Sequence, residues 1–236
     1  IVLVSILYFE GYADGYSIDT STIINQPEGF SMLAGDVEAN KMIRGYVIYE
    51  VPADWNELEV YYSDGFWNTH KEAKFLVTKN DITTGLDYEG SIFEDYIFDE
   101  SLITEKGSLL DSPEWSILFV DYKKYDSIVQ DYFENTPEPG NEYVVFFLEA
   151  ENKKEESDYF NVLNFNFYVD GYYQSGTALL TDVEGYTSIS GDVASGKKIK
   201  GYVALEVPKG WRSIEATYDD GVLTSNVIAK FAVVNK

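Results

Sequence analysis

A chain of 236 residues with 45% hydrophobic and 16% aromatic content is long enough for two domains, each burying a core of its own. Its 41 acidic against 17 basic residues give a net charge of −24, which repels phosphate backbones and anionic lipid and argues against nucleic-acid binding and membrane docking. Cysteine is absent, so the chain has no disulfide, thiolate metal site or cysteine nucleophile, and no apolar run reaches the length of a membrane-spanning helix.

The opening IVLVSILYFEGYADGY has neither a basic flank nor a small-residue cleavage site and is expected to form a strand; Ile1 in place of a start methionine marks a fragment or a mature form. Ile43, Gly45, Val47, Tyr49 and Val51 then alternate with the two-residue period of a half-buried strand, which Pro52 ends because it has no N–H for a ladder. Leu58, Val60 and Tyr62 alternate into a further strand, Asp64-Gly65 suits a tight hairpin turn, and Ala73, Phe75 and Val77 mark the strand after it. Residues 81–112 form an acidic connector. Within it, DYEGSIFEDYIFDES reads either as a helix with Ile92, Phe93, Tyr96 and Ile97 facing inward or as a strand given to the first domain.

Two long apolar strands follow, SILFVDY at 116–122 and EYVVFFLEA at 142–150, separated by a loop containing NTPEPGN. Next, Leu163, Phe165, Phe167 and Val169 share one face while Asn164 and Asn166 share the other. Ile199, Gly201, Val203, Leu205 and Val207 repeat the period up to Pro208. Ile214, Ala216 and Tyr218 lead to Asp220-Gly221, and Ala229, Phe231 and Val233 close the chain.

The chain repeats itself. Residues 15–80 align without a gap on 171–236, with 24 of 66 positions identical, including Gly45-Tyr46-Val47 with Gly201-Tyr202-Val203, Val51-Pro52 with Val207-Pro208, and Trp55 with Trp211. Two copies are too few for a solenoid, so each is expected to carry its own core. The expected architecture is all-β: tandem immunoglobulin-like β-sandwiches at 1–80 and 113–236, joined by the connector at 81–112. The first copy has no counterpart of the strands at 116–122 and 142–150. Either the chain begins inside a domain, which is the preferred reading, or residues 81–112 supply what is missing.

The run PEPGNEYVVFFLEAENKKEES and the later GYVALEVPKGW, with Pro139, Gly140, Tyr143, Val144, Val145 and Asn152 as the more specific positions, resemble the telokin-like domain of unknown function of secreted Gram-positive lipoproteins. That group is similar in fold to the mycobacterial immunoprotective extracellular protein. The resemblance covers 113–236 in full and 5–80 in part. It implies an immunoglobulin-like sandwich, export and a cell-surface setting, and it brings no catalytic or binding residues.

Few residues could carry chemistry. His70 is the only histidine, and its counterpart in the second copy is Asn226, so it reads as a solvated loop residue. Glu50 and Glu206 recur on the outward face of the same strand near Arg44 or Lys200 and read as surface ion pairs before they read as a glycosidase pair. Asp219-Asp220-Gly221 and the stretch Glu155, Glu156, Asp158 offer oxygens to calcium but lack the spaced pattern of a calcium loop. Trp55 and Trp211 read as core plugs. Tyr16, Tyr172, Tyr173 and Tyr186, with Phe30 as the counterpart of Tyr186, lie in turn-rich segments and are the candidates for an exposed aromatic binding patch.

The resulting expectation is a non-enzymatic, exported surface protein of a Gram-positive bacterium, without cofactor, acting as a protein-binding or spacer module. A carbohydrate-binding module is the alternative within binding, and a carboxylate-based glycosidase is the alternative from another class. The partner would be a protein or glycan at the cell surface.

Overall fold

A computed structural model describes residues 2–22, 30–63, 73–81, 96–130, 133–220 and 227–235. The chain is all-β and divides into two compact units, Ile1–Asp95 and Tyr96–Lys236.

The first unit carries β1 (Val2–Val4), β2 (Phe9–Ala13), β3 (Tyr16–Ile18), β4 (Thr20–Ser21), β5 (Gly35–Val37), β6 (Ile48–Tyr49), β7 (Glu57–Tyr62) and β8 (Ala73–Thr78). The opening segment is therefore two strands instead of one. A 3-10 turn at Ile6–Tyr8 interrupts it, begun by the Ser5 hydroxyl accepting from the Leu7 N–H. The main sheet is antiparallel with order β3-β2-β7-β8, and β1 pairs with β5 and β4 with β6.

The second unit carries β9 (Ser108–Asp111), β10 (Trp115–Tyr125), β11 (Ile128–Gln130), β12 (Phe133–Asn135), β13 (Asn141–Asn152), β14 (Asp158–Phe160), β15 (Phe165–Val169), β16 (Tyr172–Gln174), β17 (Gly191–Val193), β18 (Lys198–Pro208), β19 (Ser213–Asp219) and β20 (Val227–Val234). Sheets of order β18-β13-β10-β9 and β16-β15-β19-β20 face each other across one core. Alternation puts Phe119, Phe146, Phe167, Leu205 and Phe231 into that core, where aromatic rings supply most of the buried area. Phe119 stacks on Phe231 with centroids 5.2 Å apart, and Phe146 meets Phe231 edge-on at 5.6 Å. The back of the β13 sheet is also covered, with Ile128, Tyr143, Phe147, Val183 and Tyr202 buried together. Leu163 departs from the expected alternation: it sits in a 3-10 turn at Val162–Asn164 and faces solvent.

The repeat seen in sequence is repeated in structure. The sheet β3-β2-β7-β8 recurs as β16-β15-β19-β20, with equivalent residues opposed: Phe9 faces Tyr62 where Phe165 faces Tyr218, and Val2 faces Val37 where Asp158 faces Val193. Each β2–β3 type hairpin turns on an Asp-Gly pair at positive φ, 48° and 83° at Asp14-Gly15 and 49° and 86° at Asp170-Gly171, the geometry of a type I′ turn.

Two expectations change. The alternating stretch Ile43–Val51 forms only the two-residue β6, whereas its twin forms the eleven-residue β18. A strand's pattern makes a strand only where a neighbour pairs with it, and β18 has β13 along its whole length. The connector also changes character. Among its described residues, 96–112 belong to the second unit: Tyr96 packs on Gly171 and hydrogen-bonds Glu215, Ile103 bridges Ala232, and β9 pairs with β10. Ile97, read as inward-facing in a helix, is 88% exposed. Ile92 and Phe93 lie outside the described residues, as do His70, Asn226, Asp64, Gly65 and Gly221.

Candidate functional site

The first unit presents a sheet whose apolar face is only partly covered among the described residues: Tyr49 packs over Gly11 and Ala13 is buried, while Phe75 stands half in water. Opposed pairs place Phe9, Gly11, Ala13, Leu58, Val60, Tyr62, Ala73, Phe75 and Val77 on one face of β2, β7 and β8. The equivalent face in the second unit is the core. Phe75 is 53% exposed, while its twin Phe231 is 2% exposed. The rings that bury Phe231 belong to β10 and β13, and among the described residues of the first unit no strand takes their place. Where β18 pairs with β13 along its whole length, the equivalent β6 pairs with β4 among the described residues. A partly open apolar sheet face is chemically a receptor for an added strand, with main-chain groups for affinity and an apolar trough for side chains.

The other face of that sheet is polar and satisfied. Glu59 pairs with Lys74 at 2.9 Å and accepts from the Tyr61 hydroxyl, and Lys74 lies 5.2 Å over the Tyr61 ring. Lys74 is raised above its ordinary value chiefly by its hydrogen bond to Glu59. This face is an ordinary solvated surface.

Of the four expected aromatic binding residues, one stands in the first unit and three in the second. Tyr16 is 78% exposed on β3. Tyr172 and Tyr173 are half-buried in β16, where Tyr173 meets Tyr168 edge-on at 6.1 Å. Tyr186 is half-buried, packs edge-on against Phe147 and lies beneath the Lys200 ammonium at 5.5 Å. Phe30 lies beneath Arg44 in the same way, at 5.2 Å. Cation and ring are thus paired in both copies, and Lys200 meets a ring where an ion pair with Glu206 was expected. Trp55 and Trp211 are buried as core plugs, with Trp211 Nε1 donating to Glu142.

The carboxylates are engaged structurally. Glu206 accepts from the Glu138 N–H and from Asn141 Nδ2, both at 2.8 Å, and so fastens the loop that enters β13. Glu50 is exposed in a unit that lacks this loop. Asp158 and Asp220, expected as possible calcium ligands, surround the Lys154 ammonium together with Glu114, at 2.8, 3.4 and 2.9 Å. Burial alone would lower Lys154, but its hydrogen bonds to Asp158 and Glu114 outweigh this and raise it, so the cation among these acids is the protein's own. Asn152, singled out in the sequence without a role, is fully buried; it donates to the carbonyls of Glu156 and Val193 and accepts from the Lys154 N–H.

Residues 120–228, all within the second unit, match the family described as Domain of unknown function (DUF4352). No curated protein matches the chain. Among solved structures, the chain is 12% identical to ycdA of Bacillus subtilis, a protein assigned as a lipoprotein, with a TM-score of 0.43 over 56% of this chain and 39% of that one. It is 15% identical to an uncharacterized beta-sandwich protein of Clostridium difficile, with a TM-score of 0.38 over 56% and 92%. It is 16% identical to MPT63, a secreted protein of Mycobacterium tuberculosis, with a TM-score of 0.39 over 56% and 98%. The chain thus spans well under half the length of the first of these and nearly the whole of the other two. No helix among the described residues is long and apolar enough to cross a membrane.

Proposed function

We propose that this is a non-enzymatic protein of the cell exterior that works by protein contact, and that its contact surface is the partly covered sheet face of the first unit around Phe75. The observation that carries the proposal is the pair Phe75 and Phe231: one sequence position and one strand geometry, buried in the complete sandwich and exposed in the other. The first domain, residues 1–80, is then half of a sandwich. It is completed by a two-stranded antiparallel segment, of this protein's own chain or of a partner, standing where β10 and β13 stand in the second unit, pairing beside β6 and packing apolar side chains on Phe9, Val60 and Phe75. The second unit, a closed sandwich, serves as the support or spacer. The secreted and lipoprotein descriptions of similar structures accord with a position outside the cell, and a tandem pair of related domains accords with the internal repeat.

Glycan binding finds less support, because Tyr172, Tyr173 and Tyr186 are half-buried, Tyr173 against Tyr168 and Tyr186 against Phe147. A carboxylate hydrolase finds less still, since Glu206 is bound to loop groups and Glu50 lacks such a setting. The test is photo-crosslinking in the producing organism with p-benzoylphenylalanine at position 75 and, as a control, at exposed Leu163 in the second unit. Discrete protein adducts at 75 alone support the reading. No protein adduct at 75, or the same adducts at both positions, overturns it.

A further inference from the structure

The outer face of the β16-β15-β19-β20 sheet carries a row of opposed residues, Tyr173, Tyr168, Glu215 and Ala232, one from each strand. The chain at 96–104 is fastened to this row at Glu215 and at Ala232. At its start the Tyr96 ring takes the space that a Cβ on Gly171 would need, and its hydroxyl donates to Glu215. At its end the Thr104 N–H donates to the Ala232 carbonyl at 2.9 Å, and the Thr104 hydroxyl oxygen accepts from the Ala232 N–H at 3.2 Å. Between these anchors a 3-10 turn at Glu100–Leu102 is capped from within the segment, by Asp99 accepting from the Ser101 N–H. Tyr168, Glu215 and Ala232 are buried, whereas no residue of 96–104 is. None of the nine belongs to the core between the two sheets.

A segment held by a few polar contacts, with no buried side chain of its own, opens at far lower cost than the ladder beneath it. The first unit shows that the sheet forms without this cover. Its matching row is Ser17, Tyr12, Glu59 and Leu76. Among the described residues nothing stands within 4 Å of the place a Cβ on Gly15, the twin of Gly171, would take, and Leu76 is 55% exposed where Ala232 is wholly buried. We propose that the outer face of the second unit is a peptide-docking surface and that residues 96–104 are its resident ligand, a strap whose release opens the surface to another extended segment of the same chemistry. That chemistry is a phenol hydroxyl for the Glu215 carboxylate and, eight residues on, a threonine whose N–H and hydroxyl meet Ala232. A carboxylate accepts and does not donate, so Glu215 favours tyrosine over phenylalanine or an acid at the first anchor. The surface lies in the second unit and does not depend on the face around Phe75.

Hydrogen exchange of the full chain is the first test: amides at 100–106 are expected to exchange about a hundredfold faster or more than those of β19. The second test titrates a fluorescent synthetic peptide of residues 96–106 into the native chain and into the doubly substituted Tyr96→Ala, Thr104→Ala chain. The expected result is saturable binding to the substituted chain, about tenfold or more tighter than to the native one, and about tenfold weaker for a peptide carrying phenylalanine at its first position. Adding Glu215→Ala to the substituted chain is expected to abolish binding, which separates this surface from uptake at the face around Phe75. Equal protection of 100–106 and β19 overturns the proposal. So does absence of saturable binding to a substituted chain of native circular dichroism, equal binding by the two chains, or binding indifferent to Glu215→Ala. If the double substitution disturbs the fold, the exchange result on the native chain decides.

Discussion

The Cβ that Gly201 lacks would stand 2.5 Å from the carbonyl oxygen of Thr187, and the one Gly45 lacks would stand 2.6 Å from the carbonyl oxygen of Ser31. Each of these carbonyls accepts from the next residue along, Tyr202 at 2.9 Å and Tyr46 at 3.1 Å. The repeated Gly-Tyr is therefore a crossing point where two backbones touch, and no side chain fits there. Gly201→Ala is expected to destabilise the second unit by about 2 kcal/mol or more, since the obstacle is backbone and cannot rotate away. Gly45→Ala should act in the same direction in the first unit. Urea unfolding of each variant measures this, and an unchanged midpoint for Gly201→Ala would contradict the crossing.

The hairpin aspartates predict a pH dependence. Asp14 accepts from the Asn56 and Glu57 N–H groups at 3.0 to 3.1 Å, and Asp170 accepts in the same way from Arg212 and Ser213 at 2.9 to 3.2 Å. The Glu57 N–H is the largest influence holding Asp14 below its ordinary value of 3.8. A depressed carboxylate contributes stability above its unfolded pKa and loses it as pH falls through the folded one. The stability gap between the native chain and Asp14→Asn is thus expected to be constant at neutral pH and to close below about pH 4. A gap that persists unchanged at pH 2 would show that shape, and not charge, matters here.

Asn152 satisfies three main-chain groups while excluded from water. Asn152→Ala removes both amide donors and its acceptor at once, leaving the Val193 carbonyl and the Lys154 N–H without that partner, at an expected cost of about 2 to 4 kcal/mol. Thermal unfolding checks the size. A loss under about 0.5 kcal/mol would mean that water replaces the amide.

Burial of the Tyr218 phenol predicts alkaline behaviour. Its ring stacks on Phe160 with centroids 4.5 Å apart, and burial pushes the hydroxyl up to about 12 from 10.0. A raised phenol keeps its full contribution to stability below pH 10 and loses it as pH rises toward 12. Stability of the native chain should therefore fall between pH 10 and 12 more steeply than that of Tyr218→Phe. Parallel curves would place the titration elsewhere.

Period-two alternation made most of the second unit legible, because Phe165, Phe167, Ile214, Ala216, Phe231 and Val233 are inward where β15, β19 and β20 pair beneath a second sheet. The same alternation misled at Ile43–Val51, where the residues are strand-like but β13 has no equivalent among the described residues, and at Leu163, where a capped 3-10 turn interrupts the strand. Tyr173 looked exposed because turn residues surround it, yet the hairpin sets its ring edge-on against Tyr168. The roles of Glu206 and Asn152 rest on main-chain partners from distant loops, which no local pattern encodes. The candidate surface was legible only as a deficit, two strands present in one copy and missing from the other.

That deficit yields the sharpest comparison. Phe231 touches Phe119, Phe146 and Phe165 within a closed core, so Phe231→Ala leaves a cavity and is expected to cost about 3 to 5 kcal/mol. Phe75 occupies the matching position on β8 but remains half in water, so Phe75→Ala is expected to cost under about 1 kcal/mol in the chain alone. If strands do dock on the first unit, they bury Phe75 as β10 and β13 bury Phe231, and Phe75→Ala then acts on complex formation in place of folding. A variant nearly as stable as the native chain but deficient in its crosslinked partner fits this account, with the crosslinker moved to neighbouring Val60. A loss of 3 kcal/mol or more from Phe75→Ala in the isolated chain would mean that the first unit already has a core of its own, and the open face around Phe75 would not exist.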